Sequence, residues 1–176
     1  MTEAAKAMAT WLGALSRPGF TMTSRERAGL SVASYVLGEG KLDALRTWFA
    51  FQPKDVQGRE LKATIEAIIH MAHVDRDFDD AERVFLEHTI DNASLPDDAK
   101  KWLRLRLDDP QPLAHLAERI TQPILREMLL ALCWELAMAD DRIAPEEVTA
   151  YDDFARKLDV PGMRASEMRE ALTAEV

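Results

Sequence analysis

Two short acidic stretches are the part of this sequence best suited to chemistry. Each combines two aspartates with a later glutamate, which gives six candidate metal ligands: Asp75, Asp77, Glu82, Asp140, Asp141 and Glu147. Carboxylate and carbonyl oxygens are the preferred ligands of hard divalent cations, and Ca²⁺ makes weaker demands on geometry than Mg²⁺. The stretches therefore predict binding of Ca²⁺ or Mg²⁺, with Ca²⁺ preferred and no other cofactor.

The first stretch begins like the calcium loop of an EF-hand but does not complete it. An EF-hand takes oxygens from loop positions 1, 3, 5 and 12 and needs glycine at position 6. Counted from Asp75, position 6 is Asp80 and position 12 is Leu86. The second stretch, counted from Asp140, has Arg142 at position 3. A standard EF-hand is therefore excluded.

Some of the acidic residues have a structural explanation. Asp79 followed by Glu82 is typical of a capping box, and Pro145 suits the first position of a helix. Asp75 and Asp140 instead follow the last apolar turn of a helix, where the negative end of the helix dipole disfavours an anion. Two interpretations of this pair stay open: a bound cation offsets the repulsion, or loop amides donate hydrogen bonds to the carboxylates as in Asx-turns.

Signs of other chemistry are sparse. His70 and His73 lie three residues apart, beside the first acidic stretch, and suggest at most a zinc or iron site. The sequence contains no nucleophile elbow, phosphate-binding glycine loop or CxxC motif. The leading prediction is a non-enzymatic binding module. The alternative is a metal-dependent hydrolase whose acidic stretches hold one or two divalent ions that activate water.

One basic run, KKWLRLR, covers residues 100–106. Asp97 and Asp98 lie about one turn before Lys101, which predicts an amphipathic helix with paired surface charges. Three of its side chains are predicted to be partly packed: Trp102, Leu103 and Leu105. The alternative for this run is contact with an anionic lipid or an acidic peptide.

The elements that must position these residues are all helical. Proline, glycine and Asp-Pro breakers separate segments with helical periodicity, and no alternating strand pattern competes with them. The predicted helices cover residues 3–16, 24–38, 41–51, 59–74, 80–92, 97–107, 111–120, 122–139, 145–158 and 164–174.

A shift of 65 residues aligns the two acidic stretches and their flanking helices without a gap. The identities fall at the same landmarks in both copies: Ala72 and Ala137, Asp75 and Asp140, Glu82 and Glu147, Pro96 and Pro161. Self-similarity at a fixed offset indicates a duplicated structural unit. We predict two units of helix, acidic loop and helix, over about residues 66–96 and 131–161.

The duplicated signature resembles the tellurite-resistance TerB-like family. The motif Ala-x-x-Asp followed by Glu, at Ala72, Asp75 and Glu82 and again in the second unit, is similar to that family's paired acidic loops. Arg76 and Asp141 stand where the family usually has glycine. The likeness covers about residues 59–165 and implies an all-helical scaffold in stress-response or envelope-associated assemblies.

Composition limits the partners. With 22 Lys and Arg against 31 Asp and Glu, the net charge is −9, which disfavours nucleic acid. No apolar run is long enough to span a membrane, so membrane contact is expected to be peripheral at most. The single cysteine, Cys133, lies in an apolar helical run and is expected to be a buried thiol. These features predict a cytoplasmic protein whose partner is an unidentified protein.

The predicted architecture is all-α, with two units packed about a pseudo-twofold axis. Residues 1–58 form an N-terminal helical extension packed on the body, and residues 59–176 form the TerB-like domain. Within the extension, apolar side chains recur at helical spacing: Met8, Trp11, Leu12 and Leu15. This spacing predicts a helix that docks on the body, and the alternative is weak adsorption to a membrane surface.

Overall fold

The computed structural model describes residues 3–15, 34, 37–73, 78–138, 143 and 145–174. Within these ranges the fold is all-helical, as predicted, and contains no strand. The helices are α1 (Glu3–Ala14), α2 (Glu39–Phe51), α3 (Lys54–Ala72), α4 (Asp80–Asn92), α5 (Asp97–Asp108), α6 (Leu116–Arg119), α7 (Pro123–Ala137), α8 (Pro145–Lys157) and α9 (Gly162–Thr173). Nearly all of the predicted helix 24–38 lies outside the described residues. No described helix is both long and apolar enough to cross a membrane.

The sequence signals at several helix ends are confirmed. Asp79 is the N-cap of α4, where its Oδ1 accepts a hydrogen bond of 2.7 Å from the Glu82 backbone N–H. Pro145 is the first residue of α8. Gly38 precedes α2 with φ of 88°, a conformation that a residue with a Cβ adopts at a cost. Local capping chemistry therefore sets these boundaries.

Two predicted boundaries are wrong. Gly58 was expected to break the chain, yet it lies inside α3, which begins at Lys54. An internal glycine costs a helix only about 1 kcal/mol relative to alanine, and burial of the apolar face of α3 exceeds that cost. The predicted helix 111–120 shortens to α6, because His115, with φ of 52°, is in the left-handed region and cannot be part of a right-handed helix. The predicted domain division after residue 58 falls within α3.

The helices pack as two groups of three with the same internal contacts. In the first group α3 contacts α4 and α5, and α4 contacts α5. In the second group α7 contacts α8 and α9, and α8 contacts α9. The long helices α3 and α7 pack against each other and join the groups.

Five of the six helix bounds in the two groups differ by a constant 65 residues, and the starts of α3 and α7 are the exception. The offset holds for the ends of α3 and α7, for both ends of α4 and α8, and for both ends of α5 and α9. Buried positions follow the same offset: Leu86 and Tyr151, Leu103 and Met168, and Leu107 and Leu172 are each no more than 1% exposed. The offset of 65 residues therefore continues as far as Asp108 and Thr173.

The N-terminal helix α1 lies deep in the core. It contacts α3, α4 and α7, and so touches both groups of helices. Met8, Trp11 and Leu12 are fully buried, which confirms that their spacing marks a docking face. The helix is thus part of the central packing and more than a cover on one flank.

A partly buried carboxylate connects α2 and α9 to α7. Glu127 of α7 accepts hydrogen bonds from the Lys41 Nζ of α2 at 2.9 Å and from the Arg164 Nη2 of α9 at 2.9 Å. Helix α6 packs on α3. These contacts complete the frame that holds the candidate sites.

Candidate functional site

The predicted acidic site is described only at its two glutamates. Glu82 and Glu147 are each the third residue of their helix, in α4 and α8, and Glu82 is buried whereas Glu147 is partly buried. Asp75, Asp77, Asp140 and Asp141 lie outside the described residues. Both glutamates occupy a first helical turn, where the positive end of the dipole favours a carboxylate. Among the described side chains, no cluster of three His, Cys, Asp or Glu residues is arranged to hold a metal.

His73 has a structural role at the end of α3. Its Nε2 donates a hydrogen bond of 3.1 Å to the Leu107 carbonyl oxygen. Its ring also packs on Phe78, with ring centroids 4.1 Å apart. The imidazole therefore joins α3 to the end of α5, and its Nε2 is already in use.

His70 lies one turn earlier on α3 and is half-buried. Burial lowers its pKa below the ordinary histidine value, and the positive charge of Lys157 lowers it further. The Gln111 backbone and the Glu66 carboxylate favour the charged form, while His73 opposes it. Desolvation is the largest of these effects, so neutral His70 belongs to the folded state.

We expect this neutral histidine to make the fold sensitive to acid. Below the ordinary histidine pKa of about 6.5, the unfolded chain takes up a proton that the folded chain resists, so stability falls as the pH falls. Urea unfolding at pH 7.5 and 5.5 should therefore show a smaller loss in His70→Gln than in the wild type. His88→Gln, which removes an exposed histidine of α4, should lose as much stability as the wild type. Equal losses of stability between pH 7.5 and 5.5 in all three proteins would contradict the assignment of the acid sensitivity to His70.

The second candidate site is a cavity of about 530 Å³ beside Trp102. It lies between α3, α5 and α6, and its lining is Val56, Arg59, Glu60, Lys62, Glu66, Trp102, Glu118, Arg119 and Thr121. This volume is within the range of cavities that take small ligands or side chains of a partner. The cavity lies on the outer side of α3, away from the central core.

Two carboxylates of this cavity are fully engaged within the protein. Glu60 accepts hydrogen bonds of 2.8 and 3.0 Å from the Thr121 backbone N–H, and a third from the Thr121 hydroxyl. Glu66 pairs with Arg119 of α6. These buried acids hold α6 and the segment after it against α3, so they shape the wall.

Trp102 carries two cations on its ring. The Lys62 Nζ lies 3.9 Å from the ring centroid, and the Arg106 guanidinium carbon lies 4.6 Å from it. Such contacts between a cation and an aromatic face contribute about 0.5–1 kcal/mol at exposed sites. The ring therefore fixes the positions of Lys62 and Arg106.

The sequence predicted only the part of this site that lies in the run at residues 100–106. In the run at residues 100–106, the prediction that Trp102 is partly packed is confirmed, since the residue is half-buried. Leu103 is fully buried, and the prediction for Leu105 is wrong, since it is 59% exposed. The contribution of Arg59, Lys62 and Arg119 was missed, because their sequence distance from Trp102 gives no sign of contact.

Cys133 does not form a reactive centre. It lies on α7, partly buried against the core, and desolvation raises the pKa of its thiol to about 12. The thiolate is the nucleophilic form of cysteine, so this thiol is inert at neutral pH. The expectation of a fully buried thiol is corrected to a partly buried one.

Comparison with known proteins adds no relative: no family model, no curated protein and no solved structure matches this chain. The functional assignment therefore depends on the geometry of this molecule.

Proposed function

We propose that this chain is a non-enzymatic helical binding module built from two TerB-like units. It acts as a scaffold for a partner protein in a cytoplasmic stress-response or envelope-associated assembly, and its two acidic loops bind Ca²⁺ or Mg²⁺. The two units are related by a pseudo-twofold axis that passes between α3 and α7.

One observation carries this proposal. The two groups of three helices have the same contacts, and five of their six helix bounds differ by the same offset of 65 residues. The loop between the first and second helix of each group contains the duplicated aspartates, Asp75 in one and Asp140 in the other. The acidic loop is repeated together with the helices around it. This repetition supports a role for the loop beyond capping the helix that follows it.

The donor chemistry of these loops fits a hard divalent ion. The first loop offers Asp75 and Asp77 as oxygen donors, and Glu82 begins the helix that follows it. The second loop offers Asp140 and Asp141 ahead of Glu147. A bound cation would neutralise carboxylates that otherwise repel one another beside the negative end of α3 or α7.

The test is thermal unfolding of the chelated protein with and without added ion. A ligand that binds only the folded state stabilises it by about 1.4 kcal/mol at a tenfold excess over Kd. Addition of Ca²⁺ should therefore raise the melting temperature, and Mg²⁺ should act more weakly. The double change Asp75→Asn with Asp140→Asn should abolish the rise.

A matched control removes the same charge elsewhere. Asp97→Asn with Asp98→Asn changes two exposed acids in the first turn of α5, outside both loops. This variant should keep the full response to Ca²⁺. If the loop variant responds as strongly as this control, or if the wild type shows no response at millimolar ion, the ion-binding role is wrong.

A further inference from the structure

The cavity beside Trp102 continues into a second one. This neighbour has a volume of about 490 Å³ and is lined from the start of α3, the α4–α5 turn and the start of α5 by Lys54, Asp55, Gln57, Gly58, Arg59, Lys62, Ser94, Leu95, Pro96, Asp98 and Ala99. Arg59 and Lys62 line both cavities. Together the two form one groove along α3, which we call the α3 groove.

The centre of the α3 groove is positively charged. Lys62 has no carboxylate within ion-pair distance among the described residues, and Trp102 holds its ammonium group in place. Arg59 reaches only Asp55, at 3.8 Å, and both of these side chains are three-quarters exposed. Two cations at the junction are therefore available to an anion.

The outer parts of the α3 groove carry more acids than cations: Asp55 and Asp98 against Lys54 in one cavity, and Glu60, Glu66 and Glu118 against Arg119 in the other. Asp98 lines one cavity and Glu118 lines the other, on either side of the shared cations. Glu118 lies near His115, with 3.4 Å between its Oε1 and the His115 Nδ1, and both side chains are well exposed. A ligand with negative charge along its whole length would be repelled at both ends, and so would a continuous anionic surface. The pattern selects one central anion with neutral flanks.

The length of the α3 groove suits a peptide. Its lining on α3 runs from Lys54 to Glu66, which corresponds to about 18 Å at 1.5 Å per residue. An extended chain of about five residues covers that distance at roughly 3.3 Å per residue. A single amino acid or other small anion would fill only one of the two cavities.

We infer that the α3 groove binds a short extended segment of a partner protein with one aspartate or glutamate at its centre. The acidic side chain lies between Arg59 and Lys62, and the flanking neutral residues occupy the two cavities. This inference rests on the proposed role as a binding module, and it names the chemistry of the partner segment.

The probe is a capped peptide of leucine, serine, glutamate, serine and leucine, titrated into the full chain. Binding is measured by calorimetry and by the indole N–H resonance of Trp102 in nuclear magnetic resonance spectra. The same peptide with glutamine at its centre should bind about tenfold more weakly, because it loses a hydrogen bond between charged groups. A peptide of five glutamates should bind no more tightly than the first, because of Asp98 and Glu118.

Matched variants identify the cation that is responsible. Lys62→Met keeps the aliphatic stem and should weaken binding of the glutamate peptide about tenfold, whereas Lys62→Arg should retain it. Lys101→Met removes an exposed lysine of α5 that does not line the α3 groove, and should leave binding unchanged.

Three results would overturn the inference: equal affinity for the glutamine peptide, tighter binding of the five-glutamate peptide, or equal losses in Lys62→Met and Lys101→Met. The Ca²⁺ response of the acidic loops is measured without any peptide. If the peptide does not bind but Ca²⁺ still stabilises the protein, the α3 groove inference is wrong and the ion-binding role is supported. If Ca²⁺ has no effect but the peptide binds, the ion-binding role is wrong and the α3 groove inference is supported.

Discussion

Replacement of Trp134 by alanine is expected to destabilise the protein by about 3–5 kcal/mol, the usual cost of removing a buried tryptophan. Trp134 of α7 is 2% exposed and connects all three helices of its group. Its ring meets Tyr151 of α8 edge-on with centroids 5.1 Å apart, and its Nε1 donates a hydrogen bond of 3.1 Å to the Thr173 hydroxyl of α9. The change therefore leaves a cavity and removes the indole hydrogen bond, while the Thr173 hydroxyl still donates to the Arg169 carbonyl oxygen at 2.8 Å.

Urea unfolding followed by circular dichroism measures this loss as a lower midpoint with an unchanged slope. Trp134→Phe should cost less, because it keeps an aromatic ring against Tyr151 and loses only the indole hydrogen bond and part of the buried area. Leu105→Ala is the control, since Leu105 is 59% exposed and should change stability by no more than about 0.5 kcal/mol. Similar losses in Trp134→Ala and Leu105→Ala would show that α7, α8 and α9 do not share this core.

The sequence predicted the helices wherever local chemistry decides their ends. Pro96, Pro145 and the cap at Asp79 mark helix starts that the structure reproduces, and the helix after Pro161 begins two residues before the predicted residue 164. The predicted helix start after Gly58 was wrong, because glycine costs a helix little and the burial of α3 outweighs that cost. Sequence signals therefore predict a helix end best when they remove a backbone donor or supply a capping group.

The sequence indicated which faces are buried but not which helices meet. The spacing of Met8, Trp11 and Leu12 predicted a docking face, whereas the contacts of α1 with both groups depend on the packing of the whole chain. Likewise, the duplication identified the acidic loops from identical residues at one offset. The α3 groove was missed, since Lys62 and Trp102 are brought together only when α3 packs on α5.

The wall of that groove depends on an ion pair that is worth testing by itself. Glu66 of α3 is 9% exposed and pairs with Arg119 of α6, whose side chain is 35% exposed. Helix α6 has only four residues, so its own backbone hydrogen bonds cannot hold it in place. Tertiary contacts with α3, including this pair, keep it there.

Arg119→Ala is therefore expected to destabilise the fold by about 2–3 kcal/mol, because it leaves the Glu66 carboxylate buried without its cation. This loss is at or below the lower end of the range for breaking a buried ion pair, because water reaches part of Arg119 and screens the interaction. Removing both charges in Glu66→Met with Arg119→Met should recover part of the loss, because no unpaired buried charge remains. Urea unfolding of the single and double variants measures the coupling.

Arg156→Ala is the control, because Arg156 forms an exposed pair with Asp153 worth less than about 1 kcal/mol. If Arg119→Ala is as mild as Arg156→Ala, or if the double variant is the least stable of the set, the pair does not hold α6 against α3.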